Sequence, residues 1–144
     1  MKRILFLDID GVVNCAKTAQ RHRGVIGIDP YMAFKVGQIV LETGCEIVLS
    51  STWRLGKESR EEVARQVYPF IDITPNLWTP KEKKVRGDEI QDWLNRHPEV
   101  EKYAILDDDS DMLPEQLPNF FQTTWAEGIT DEIQKKVIEH LTNY

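Results

Sequence analysis

Short apolar runs of strand length alternate with stretches of helical periodicity along the chain. RILFLD (residues 3–8) and EIVLS (residues 46–50) are continuous apolar runs that stop on polar groups, which predicts strands covered on both faces. Between them Asp29-Pro30 supplies an N-cap and first-turn proline, and Gly44 a stop, so a helix is expected between them. Ser59 with Glu62 makes a capping-box pattern ahead of Val63, Ala64 and Val67, predicting a second helix. After the turn-rich ITPNLWTP, Ile90, Trp93 and Leu94 mark a third helix ending near Pro98. Residues 103–106 and 120–123 read as further strands, and Thr130 caps a last helix carrying Ile133, Val137, Ile138 and Leu141 at helical spacing. This alternation, without repeats or a low-complexity linker, predicts an α/β fold: a Rossmann-like open, mainly parallel sheet with helices on both faces. The length of 144 residues predicts one domain over residues 1–144.

Composition changes this picture only at the margins. A hydrophobic content of 41% suits one core, and the apolar runs are far shorter than the roughly 20 residues a spanning helix needs, so no membrane partner is expected. The first three residues lead straight into strand pattern with no small-residue cleavage site, so a strand is expected there instead of a signal peptide, and a cytoplasmic location with it. Cys15 and Cys45 then read as reduced thiols. The formal charge of −6 argues against a generally basic nucleic-acid surface while leaving room for a local basic cleft.

The chemistry lies at the strand ends. In open α/β sheets ligands bind beyond the carboxyl ends of the strands, and here three strands end in Asp8 and Asp10, in Ser50 and Ser51, and in Asp107 and Asp108. Any one of these alone reads as an ordinary polar loop residue; three together aim at one crevice. Carboxylates crowded at one edge repel unless a cation sits between them, which implies a hard metal ion, Mg²⁺.

FLDIDGVVN (residues 6–14) resembles the first motif of the haloacid dehalogenase (HAD) superfamily, an apolar strand ending in Asp-x-Asp. The resemblance implies Asp8 as nucleophile and Asp10 as general acid/base, with Gly11 allowing the sharp departure of the backbone. EIVLSSTWR is similar to the second motif, in which Ser50 or its rival Ser51 binds the phosphoryl oxygens. RGDEIQDWL supplies Arg86 as the cation of the third motif, with Lys84 and Lys83 as alternatives. YAILDDDSDM resembles the acidic fourth motif: Asp108 as metal ligand with Asp8 and the backbone carbonyl of Asp10, Asp107 as its neighbour, Asp111 as a supporting acid and Asp109 as a solvated turn residue. What the resemblance implies is a phosphomonoesterase that passes through an aspartyl-phosphate. Val12 stands where capless phosphatases of protein carboxy-terminal domains often have Thr, which sets that branch aside.

Superfamily members acting on small metabolites usually carry a cap domain, and neither residues 11–29 nor residues 55–85 look long enough in regular structure to form one. The pattern DIDGVVN, SSTWR, RGDEI and GIT is similar to the HAD domains of Swiss Army Knife RNA repair proteins and, more distantly, of polynucleotide kinase-phosphatases. RNA or DNA ends are therefore the expected phosphorylated substrate. Lys17, Arg21, His22 and Arg23, with Arg54, Lys57 and Arg60, are cations that a phosphate backbone would meet, Arg54 being the candidate nearest the second motif. Trp53, Trp78 and Trp125 have faces for base stacking but equally suit packing. Two alternatives stand beside this reading: a nucleotide or small-metabolite phosphatase with residues 11–29 as lid, and a non-catalytic phosphate-binding module. The pair Asp8 and Asp10 speaks against the module, since binding alone needs no second carboxylate placed as an acid.

Overall fold

A computed structural model describes residues 2–68, 70–79, 81–82 and 84–143. Among the described residues, seven strands and four α-helices follow one another as β1 (Lys2–Leu7), β2 (Arg21–His22), β3 (Val25–Ile26), α1 (Pro30–Thr43), β4 (Glu46–Leu49), α2 (Lys57–Gln66), β5 (Phe70–Ile73), α3 (Arg86–Asn95), β6 (Val100–Asp107), β7 (Phe120–Gln122) and α4 (Asp131–Thr142). Five strands form one sheet in the order β5-β4-β1-β6-β7, every pairing parallel. β2 and β3 form a separate antiparallel hairpin.

The apolar runs explain this topology. β1 is the central strand, and Ile4, Leu5, Phe6 and Leu7 are fully buried because both neighbours and both faces are occupied. Its side chains alternate between two core layers. Leu5 and Leu7 join Val36 and Ile39 of α1, Val63 of α2 and Val137 and Leu141 of α4. Ile4 and Phe6 meet Ile90 and Trp93 of α3, with the Phe6 and Trp93 rings edge to face at 5.4 Å. Helices therefore cover both faces, as the sequence pattern predicts.

Local capping follows the chain chemistry at two helices. The Asp29 carboxylate accepts from Tyr31 N ahead of α1, which ends at Gly44 with φ +70°, and Thr130 accepts from Ile133 N ahead of α4. α2 departs from expectation: it opens at Lys57 after Gly56, placing Ser59 inside its first turn, because the 3₁₀ turn Thr52–Leu55 runs directly into Gly56. β5, an edge strand, was not expected, nor was the β2–β3 hairpin within residues 11–29. Beyond that hairpin no cap module is inserted among the described residues, and no helix among them is long and apolar enough to cross a membrane. Cys15 and Cys45 are buried free thiols.

Candidate functional site

Beyond the carboxyl ends of β1 and β6 lies a cleft of about 190 Å³, lined by Asp8, Asp10, Thr52, Arg86, Asp107, Asp108, Asp109 and Asp111. Its floor follows from register. Leu7 pairs with Leu49 on one side and Leu106 on the other, and the chain continues the ladder with Asp8 N donating to Leu106 O and Ser50 N to Leu7 O, both at 3.0 Å. Asp8, Ser50 and Asp107 are thereby brought to one sheet edge, and the α3 start brings Arg86 over it.

Asp8, Asp107 and Asp108 each offer a carboxylate oxygen, and these lie within 4.8 Å of one another. Asp107, only 3% exposed, thus belongs to the carboxylate cluster itself, a closer part than the neighbouring role expected for it. Burial, the Asp107 charge and a hydrogen bond to Asp107 push the Asp8 carboxyl up to about 9. Asp107 rises to about 6, chiefly through burial, with the hydrogen bonds from Asp109 N and Asp8 opposing. Burial and crowding thus favour the protonated form of this pair over two adjacent negative charges. An all-oxygen set of anionic donors short of positive charge fits a hard divalent cation.

The glycine after Asp10 lets the chain pass close to this cluster. Gly11 has φ +82°, and a Cβ there would overlap the Asp108 carboxylate. Thr123, just beyond β7, donates its hydroxyl to Gly11 O at 2.5 Å, and Asn14 Oδ1 accepts from Gly11 N at 2.8 Å. Asp10, though on the same cleft, keeps its carboxylate outside the cluster: Asn14 Nδ2 donates to Oδ1 at 2.9 Å and Trp53 Nε1 to Oδ2 at 3.3 Å.

Of the two serines, Ser51 accepts from Trp53 N at 3.1 Å and so caps the 3₁₀ turn, whereas Ser50 Oγ is buried with no hydrogen-bond partner among the described residues. Neither lines the cleft; the exposed Thr52 does, which the motif comparison missed. Arg86, not Lys84, reaches the cleft, since Lys84 pairs outside with Glu82 at 3.9 Å, and Lys83 lies outside the described residues. Arg54 corrects its expected substrate contact. It is 3% exposed, donating to Thr74 O, Ser51 O and Glu89 Oε2 at 2.7–2.9 Å, and is committed to the wall of the site. Glu89 also takes Arg86 Nη1 at 2.9 Å and so links the two guanidiniums. Asp111 Oδ2 accepts from Arg86 N at 3.0 Å, fixing the start of α3. Of the remaining cations, Arg21 donates to Thr18 O and Arg23 pairs with Glu58. Trp53 is buried, while Trp78 and Trp125 are half-exposed or more.

Comparison with known proteins agrees with this geometry. The family model described as "HAD domain in Swiss Army Knife RNA repair proteins" matches residues 4–133, from the start of β1 into α4. No curated protein and no solved structure matches the chain.

Proposed function

Because the chain belongs to the family of HAD domains found in Swiss Army Knife RNA repair proteins, we propose that it is a Mg²⁺-dependent phosphomonoesterase acting through an aspartyl-phosphate on nucleic-acid ends. The observation that carries the reading is the sharing of one cleft by Asp8, its two carboxylate neighbours and the Arg86 guanidinium. Asp8, Asp107 and Asp108, with the backbone carbonyl of Asp10, would hold Mg²⁺, which when bound supplies neutralising charge to the phosphoryl oxygens.

The protein's own groups then have distinct tasks. Arg86 binds a phosphoryl oxygen, and the unpartnered Ser50 hydroxyl and Thr52 are the donors available on the side of the second motif. An Asp8 oxygen attacks phosphorus in line, and the bond to the leaving oxygen breaks as Asp10 gives that oxygen its proton. Water next attacks the phosphorus of the aspartyl-phosphate while Asp10 takes its proton. The bond from phosphorus to Asp8 breaks, inorganic phosphate leaves, and both carboxyls are restored.

Cleft size supports a polymer end as substrate. A volume of about 190 Å³ suits a phosphoryl group and falls below the roughly 300–1,000 Å³ of pockets that enclose a whole small ligand. With no cap module among the described residues, the rest of such a substrate would lie outside. A small-metabolite substrate has one observation in its favour: the β2–β3 hairpin packs beside the cleft, with His22 stacked on Trp53 at 5.1 Å, where a short lid would sit. A panel of 3′- and 5′-phosphorylated oligonucleotides, mononucleotides and sugar phosphates separates the two. Fastest phosphate release from oligonucleotide ends is expected. Preference for mononucleotides or sugar phosphates overturns the substrate reading, and no release from any ester, activated aryl phosphates included, overturns the enzyme.

A further inference from the structure

Asp10 sits two residues from Asp8 on the same cleft, yet its carboxylate stands apart from the cluster of Asp8, Asp107 and Asp108. A fourth carboxylate so close to a cation site would be drawn into it unless something else held it, and each of its oxygens is held by one neutral donor. Asn14, fully buried, gives one Nδ2 hydrogen to Asp10 Oδ1 at 2.9 Å and the other to Gly27 O at 2.9 Å. Its own Oδ1 accepts from Gly11 N at 2.8 Å, so every polar group of the amide is fixed. Trp53, 7% exposed, gives its indole N–H to Asp10 Oδ2 at 3.3 Å and is itself anchored through its backbone N on Ser51 Oγ. Against the indole lies the His22 ring at 5.1 Å and 30°. The hairpin therefore backs both donors, His22 behind Trp53 and Gly27 behind Asn14.

We infer that Asn14 and Trp53 are positioning residues that aim Asp10, so that this carboxylate serves the leaving oxygen and does not become a further metal ligand. The inference rests on the proposed acid/base role of Asp10. A group held in productive geometry before the reaction saves the ordering that the transition state would otherwise demand, and the effect falls only on steps that use that group. It also defines where the substrate goes: the leaving group departs along the wall formed by Trp53 and the hairpin, while the phosphoryl group faces Arg86.

The test is a leaving-group comparison in Trp53→Phe, which keeps an aromatic ring on the His22 side and removes the N–H donor along with part of the indole. With p-nitrophenyl phosphate, whose leaving group needs little protonation, kcat should fall less than about threefold, and with an alkyl phosphate about 30-fold, at unchanged KM. In an Asp10→Asn background the same substitution should add almost nothing, because Trp53 acts through Asp10. If Trp53→Phe does not hold the packing, Trp53→Leu, which also lacks a donor, carries the same cycle, and a melting curve accompanies each variant. Equal losses on both esters, or a full additional loss in the Asp10→Asn background, overturn the inference. A leaving-group split in Asp10→Asn without one in Trp53→Phe overturns it while sparing the acid role. Absence of a split in Asp10→Asn removes the acid role and the inference with it.

Discussion

At the scale of single residues, the site sets the carboxylates that face the cleft apart from the side chains that hold them. In the proposed mechanism Asp8→Asn removes the attacking carboxylate, and it also thins a crowded acidic cluster, so turnover should fall at least about a thousandfold while the melting temperature is unchanged or higher. Phosphate release and thermal melting on the same preparation check both halves. Glu89 makes the contrasting case, since it is 6% exposed and bonded to Arg54 and Arg86 together. Glu89→Ala leaves the buried Arg54 without its counter-charge and should destabilise the fold by about 3 kcal/mol, raising KM as Arg86 loses its support; denaturant unfolding and steady-state kinetics measure the two. The acids that meet at the cleft were legible in the sequence because they follow strand ends. The pairings of Trp53 with Asp10 and of Glu89 with Arg54 were not, because the partners lie 43 and 35 residues apart and nothing local marks such pairs. Arg54 was misjudged for the same reason: a cation beside a motif reads as a phosphate contact until its buried carboxylate is known.

At the scale of elements, the turn after β1 decides whether the cluster can form. Gly11→Ala would force a left-handed φ on a side chain and press its Cβ into the Asp108 carboxylate, so activity should be lost together with Mg²⁺ affinity, which calorimetric titration reads directly. Strand and helix types were readable where apolar runs were long or caps were present, as in β1, β4, α1 and α4. Two elements escaped for physical reasons. β5 is four residues on a sheet edge with Ile71 exposed, so neither burial nor alternation marks it. β2 and β3 are two residues each, below the length at which periodicity exists.

At the scale of the whole molecule, the upward-shifted carboxyls of Asp8 and Asp107 link metal, pH and stability. Both folded carboxyls lie above the ordinary 3.8, so without metal their contribution to stability is full below that value and is lost as pH rises, through about 6 for Asp107 and about 9 for Asp8. A cation competes with protonation of this pair and binds only the folded site, so millimolar Mg²⁺ should raise the melting temperature more at pH 8 than at pH 5.5, and Asp108→Ala should abolish the difference. Titration in weak buffer at pH 7.5 should show a proton released as Mg²⁺ binds. The placement of β1 between β4 and β6 carries one more consequence, for the way the site comes into being. Asp8 follows directly on β1, but the neighbouring β6 begins only at Val100 and brings Asp107 and, just beyond it, Asp108. Pairing across so long a stretch of chain is slow and comes late, so a nascent or truncated chain that ends before Val100 holds Asp8 without the carboxylates of Asp107 and Asp108, and on refolding the proposed activity should recover only as the central strands dock.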